Sequence, residues 1–249
     1  MPHSKNRILS GIRPADLRAL QPHLRLVELE HGLVIAHSRQ RVHQVYFPHG
    51  GILSCIVELK SGFAIETGMI GNDGVFGAIQ AIDDRLSLNK VIVQVPSQSS
   101  VADAAVVKHL ADSSPDFRRL IIKHEQFLLG QVQQTTACNA LHSVEERMCT
   151  WLVRMYDLVG RDLPLTQEFL AQMMGVQRTS VSGVASGLQG EGLIDYHRGK
   201  VRIVSIDGVQ RRACECHESV REQYLDIFGK VSVETFPEAS DLYRRSDAE

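Results

Sequence analysis

The 249-residue chain lacks a long apolar run. No segment is hydrophobic for long enough to span a bilayer, and the opening MPHSKNRILSG has no hydrophobic core of the signal-peptide kind. It also lacks a strong charge of either sign. Net charge is −2 and the sequence pI is about 6.6, which excludes a protein coated in positive charge. A local basic edge stays open, because the field that matters to a nucleic acid is local. The five cysteines are an odd number without a small secreted framework around them. A reducing cytoplasm is the expected compartment, and no membrane partner is expected. The chain has no glycine-rich phosphate loop, no serine elbow and no paired carboxylates at a catalytic spacing, so no enzyme chemistry is expected from such motifs.

What is present has the composition of a globular protein, 43% hydrophobic and 22% charged, long enough for two cores. Residues 1–24 read as a lead-in with one short helix, with Pro14 in its first turn. From Arg25 the pattern changes to strands. Apolar runs at 26–29, 33–35, 42–47, 52–57, 63–70, 91–95 and 101–105 alternate with turn signals such as His31-Gly32 and Gly71-Asn72-Asp73-Gly74. Strands repeating every 8–12 residues or so predict a sandwich or roll. Pro115 opens a helix reaching Cys138. Along it Phe117, Leu120, Ile121, His124, Phe127, Leu128, Gln131, Thr135 and Cys138 fall at coiled-coil-like intervals, which suit a dimer seam or packing on the helix's own roll. Residues 139–143 are the expected hinge. A helix with Met148, Leu152, Met155 and Leu158 follows.

Residues 165–204 read as helix, tight turn, helix and a two-stranded wing. Thr166 can cap the first helix, whose apolar stripe is Phe169, Leu170, Met173 and Met174. Gly175 suits the stop. In the second helix Val181, Val184, Ala185 and Leu188 face inward. Thr179, Ser182, Gly183 and Ser186 face out, with Arg178 in the first turn. A small polar face led by one arginine suits a DNA major groove. The wing strands, 193–196 and 201–204, join at Arg198-Gly199, and Arg198, Lys200 and Arg202 crowd this hairpin as candidate phosphate contacts. Residues 209–228 predict a closing helix, and the polar stretch from Gly229 is expected to fray.

On these residues the chain resembles the Crp/Fnr family of bacterial transcription regulators. The likeness runs without a gap from Leu165 to Ile194 and places Arg178 on the family's base-reading arginine. Thr179 stands where well-known members carry a glutamate, and Gly183 where they carry a second arginine. The resemblance implies an α+β fold: an N-terminal β-roll (jelly-roll, cyclic-nucleotide-binding-like) sensory domain at 1–111, a dimerisation helix and hinge at 112–140, a C-terminal winged helix-turn-helix at 141–208, and a helix and tail at 209–249. It implies a sequence-specific transcription regulator, homodimeric on an inverted-repeat operator in double-stranded DNA and partnered by RNA polymerase if an activator. The expected DNA contacts are Thr166, Gln167, Arg178, Thr179, Ser180, Ser182, Gly183, Arg198, Lys200 and Arg202.

The family's cofactors are not expected here. In the cyclic-nucleotide cassette Ala78 replaces the ribose-binding glutamate, and Leu88 and Asn89 replace the phosphate-binding arginine and its neighbouring serine. An iron–sulfur cluster of the family's type needs clustered N-terminal cysteines, but the first cysteine is Cys55. Cys214, Cys216 and His217, read on a helix, form a poor chelate, so no metal is expected there. The alternative is a cupin-like metal-dependent enzyme on the roll with a C-terminal partner-binding module. It would use His23, His31, His37, His43 or His49, yet no His-x-His occurs and no carboxylate is spaced to join them.

Overall fold

The computed structural model describes residues 2–229; the polar tail expected to fray lies beyond them. Contacts divide the chain into two compact units, Met1–Val132 and Gln133–Glu249.

The first unit opens with two short helices rather than one, α1 (Arg7–Gly11) and α2 (Pro14–Leu20). Pro14 occupies the first turn of α2, where its missing N–H costs nothing. The earlier helix rests on Asn6. Its Oδ1 caps α1 through Leu9 N–H at 3.1 Å, and its amide nitrogen donates to the carbonyls of Pro48 and Gly74. The strands follow as β1 (Arg25–Leu29), β2 (Val34–Ala36), β3 (Gln44–Pro48), β4 (Ile52–Glu58) and β5 (Ala64–Ile70). Next come helix α3 (Ala78–Ile82), β6 (Lys90–Val95), β7 (Ser97–Asp103) and helix α4 (Ala104–Ser113). They form two antiparallel sheets, ordered β1-β7-β3 and β2-β6-β4-β5. One core cluster holds Leu29, Leu53, Cys55, Ile70, Phe76, Val91 and Val93. Each large side chain so buried contributes about 1.5–3 kcal/mol against exposure. The run 101–105 hides a correction. The strand begins at Ser97, where serines and a glutamine mask the alternation, although Ser99 and Ser100 are wholly buried. It ends at Asp103, where α4 begins.

Helix α5 (Pro115–Leu141) is continuous through residues 139–141, and the break falls at His142-Ser143. Within the single chain Phe117, Ile121, His124, Phe127 and Gln131 are already buried. The residues named from sequence as a dimer seam therefore mostly face the chain's own core. A second, sparser apolar line, Ile122 and Leu129, is exposed.

In the second unit, α6 (Val144–Val159) starts with a reciprocal cap between Ser143 and Glu146 and buries Met148, Leu152 and Met155 completely. The strand β8 (Asp162–Leu163), helices α7 (Gln167–Met174) and α8 (Arg178–Gly190), and strands β9 (Ile194–His197) and β10 (Lys200–Ile203) follow. The wing is three-stranded, β8-β10-β9, and not two-stranded as the sequence suggested. A two-residue strand just before Pro164 is too short to show a period. The closing segment is likewise two helices, α9 (Ile206–Arg212) and α10 (Cys216–Phe228). Neither proline nor glycine breaks it. Ala213 turns extended (φ −74°, ψ 152°), and the Cys214 N–H donates to Thr150 Oγ1 at 3.0 Å instead of continuing the helical ladder.

Candidate nucleic-acid interface

Thr166 caps α7 as expected, its Oγ1 accepting the Phe169 N–H at 3.1 Å. The helix stops at Gly175, whose φ of 64° favours glycine. Val176 N–H reaches back to Ala171 O and Gly175 N–H to Gln172 O, a Schellman pair that closes the turn. Leu170, Ala171, Met173 and Met174 are buried, as are Val181, Ala185 and Leu188 of α8. Burying these two stripes leaves the other face of α8 outward. Arg178, Thr179, Ser180, Gly183 and Ser186 are exposed there, and Ser182 is half-buried. A Cβ at Gly183 would meet nothing within 4 Å, so packing does not require glycine there.

Two of the expected contacts also join the helices. The Ser182 hydroxyl donates to Gln167 Oε1 at 2.6 Å and lies 3.0 Å from the Arg178 carbonyl. The wing approaches the start of α7: a Cβ on Gly199 would lie 3.2 Å from Thr166 Cγ2. Tyr196 N–H donates to Gln189 Oε1 at 2.9 Å, fastening β9 to α8. Arg198 (φ 47°) and Gly199 (φ 77°) form the two-residue hairpin turn with positive φ at both positions, as a right-twisted hairpin demands. Val201 and Ile203 point inward, which leaves Lys200 and Arg202 on the exposed face. Thr166, Gln167, the outer face of α8 and the wing cations thus lie within one unit, on neighbouring elements.

Two acids temper this charge. Glu168 Oε2 lies 3.7 Å from Arg178 Nη1, and Asp162 Oδ1 lies 3.6 Å from Arg202 Nε. Both pairs are exposed and worth little by themselves. Among the described residues Arg198 and Lys200 have no such acidic partner.

The roll holds a cavity of about 300 Å³ where the resemblance puts the effector, lined by Phe76, Gly77, Ala78, Leu88, Asn89 and Glu125 among others. Gly77 (φ 90°) is required at its rim, since a Cβ would lie 2.7 Å from Gln44 O. No arginine or lysine lines the cavity. Burial pushes the His124 imidazole, which also lines it, down to about 4, so it offers no cation to a phosphate near neutral pH.

The histidines proposed for a cupin-type enzyme do not converge. His49 Nε2 lies 2.6 Å from Ser100 Oγ and His31 Nδ1 lies 2.8 Å from Gln94 O. Among the described residues no group of metal ligands lies in the roll. One group does occur in the second unit: Cys138, His142, Cys214 and Cys216, with ligand atoms all within 4.8 Å of one another. This corrects the reading of Cys214, Cys216 and His217 as a helical trio. Cys214 lies in the break before α10, and His217 turns away to Asp157 Oδ2 at 2.7 Å. The signal sequence reasoning missed was the Cys138-x3-His142 spacing, which places both side chains on one helical face.

Residues 146–212 match the family model of the Crp-like helix-turn-helix domain. No curated protein matches the chain by sequence. Solved structures share its fold. FixK2 from Bradyrhizobium japonicum is 13% identical, with a TM-score of 0.65 over 77% of this chain and 98% of its own. A Crp/Fnr-family transcriptional regulator from Thermus thermophilus is 18% identical, with a TM-score of 0.62 over 78% and 98%. The c-di-GMP-responsive global regulator CLP from Xanthomonas campestris is 14% identical, with a TM-score of 0.62 over 77% and 99%. The alternative of a metal-dependent enzyme finds no support among them.

Proposed function

We propose that this chain, built on the Crp/Fnr fold with a Crp-like helix-turn-helix domain, is a transcription regulator that binds an inverted-repeat operator in double-stranded DNA as a homodimer. One observation carries the reading: the exposed polar face of α8, led by Arg178, stands beside a wing bearing Arg198, Lys200 and Arg202. Arg178 in the first turn reads a guanine through O6 and N7, and Thr179, Ser180 and Ser182 approach neighbouring bases or phosphates. Gly183 supplies no side chain, so its position reads no base edge. The Thr166 and Gln167 end of α7 and the wing cations take phosphates. A twofold dimer sets half-site centres about 34 Å apart.

The chain works in the cytoplasm, next to RNA polymerase where it activates. No described helix is long and apolar enough to cross a membrane. The cavity's lack of a cation supports a signal other than a cyclic nucleotide. Selection of bound sites from random DNA, followed by footprinting, tests the reading. An inverted repeat with one-turn spacing is expected; a protein that enriches no sequence overturns it.

A further inference from the structure

We propose that Cys138, His142, Cys214 and Cys216 bind one tetrahedral zinc ion. Four soft or borderline ligands converge from separate stretches of chain, and their distances are those a mononuclear site needs. Cys138 Sγ and Cys214 Sγ are 3.5 Å apart, and Cys216 Sγ is 3.6 Å from His142 Nδ1. Around zinc, bonds of about 2.3 Å to sulfur and 2.0–2.1 Å to nitrogen at tetrahedral angles put ligand atoms about 3.5–3.8 Å apart. A two-iron cluster would spread its four ligands over two ions and hold them further apart than the 4.8 Å limit seen here. At 3.5 Å the Cys138 and Cys214 sulfurs are not bonded, and all three cysteines are free and buried.

The chain is shaped around the site. His142 N–H donates to Cys138 O at 3.1 Å, so the helical spacing persists to His142 and aligns it with Cys138. The extended backbone at Ala213 and the helical turn at Glu215 let Cys214 and Cys216 converge, although residues two apart on a helix would diverge. The surroundings are those of ligands rather than of packing. His142 presents Nδ1 to the sulfurs while its Nε2 lies 3.2 Å from Glu215 Oε2, the carboxylate partner that orients a metal-bound imidazole. Gln134 Nε2 donates to Cys216 Sγ at 3.2 Å, Thr150 Oγ1 lies 2.9 Å from Cys214 Sγ, and the Cys216 N–H bonds to Cys214 as well. Such donors stabilise thiolates. Three thiolates and a neutral imidazole leave the zinc site at one net negative charge, and the protons the thiols carry pass to solvent on binding.

The ion would fasten the end of α5 to the α9–α10 junction within the second unit. The inference is independent of DNA binding and is tested on free protein. Full-length protein prepared under reducing conditions should contain about one zinc per chain by elemental analysis. Exchange for Co(II) should give tetrahedral ligand-field bands and a thiolate-to-cobalt charge-transfer band. Cys214→Ser should lose about a third of that charge-transfer intensity, and His142→Ala should keep it while weakening cobalt affinity at least tenfold. Cys55→Ala, in the roll, should leave both spectra unchanged and so control for general loss of thiols. Folded, reduced wild-type protein that takes up neither metal overturns the proposal. So does a cobalt spectrum that survives undiminished in the Cys138→Ser, Cys214→Ser double variant.

Discussion

Arg178, the proposed base reader, faces an acid in the free protein. The Glu168 carboxylate 3.7 Å away holds it in an exposed pair and adds a negative charge beside the proposed phosphate contacts. Glu168→Gln should therefore raise operator affinity by up to about fivefold, most at low salt, whereas Arg178→Ala should cost about 1–3 kcal/mol per half-site and relax one base preference. Fluorescence anisotropy on matched and single-mismatch operators reads both; an Arg178→Ala protein that keeps its preference would show the helix is oriented differently. His124 is a second residue with a measurable signature. It is wholly buried, accepts the Val75 N–H at 3.2 Å, and has its pKa lowered by burial from 6.5 to about 4, with Asp73 acting weakly the other way. Above pH 6.5 neither native nor unfolded chain protonates it, and its contribution is fully present. As pH falls towards 4 only the unfolded chain takes the proton, so native stability drops, by about 3 kcal/mol in all. Urea unfolding at about pH 7 and about pH 4.5 should show a smaller loss for His124→Gln than for wild type, and equal losses would refute the assignment. At this scale the sequence was a partial guide. Thr166, Gly175 and Arg178 were legible because caps, stops and first-turn cations act locally. Glu168 as a competitor and His142 as a sulfur neighbour were not, since each acquires its role from a residue brought close by folding.

Helix α5 shows why elements are easier to find than to face. Its length and opening at Pro115 were plain in the spacing, but it carries two apolar lines, and periodicity does not say which one turns to the core. Phe127 belongs to the buried line and Leu129 to the exposed one. Leu129→Glu should thus yield a folded monomer in sedimentation equilibrium, with unchanged far-ultraviolet circular dichroism. Phe127→Glu should unfold the roll, because it buries an unpaired charge. A Leu129→Glu protein that stays dimeric would move the interface away from this helix. The α9–α10 break was illegible for a related reason. Its residues are compatible with one helix, and the interruption comes from Thr150, far earlier in the chain, capturing the Cys214 N–H.

Across the whole molecule, the turn signals and the change from period two to helical spacing laid out a sandwich or roll, a long helix and a helix-turn-helix with a wing, and the family resemblance chose the roll. The third wing strand and the four-ligand cluster depended on pairings between distant segments, which no local pattern announces. The wing's hairpin has a consequence of its own. Arg198 holds a left-handed backbone that an asparagine or glycine would adopt more readily, a strain of roughly 1–2 kcal/mol for an ordinary residue. With Arg198 on a phosphate as proposed, endurance and grip would be set against each other at one position. Arg198→Asn should melt a few degrees higher in calorimetry and yet hold every DNA sequence more weakly, with the salt dependence of binding reduced by about one ion. A regulator improved for shelf life at this turn would be a worse regulator.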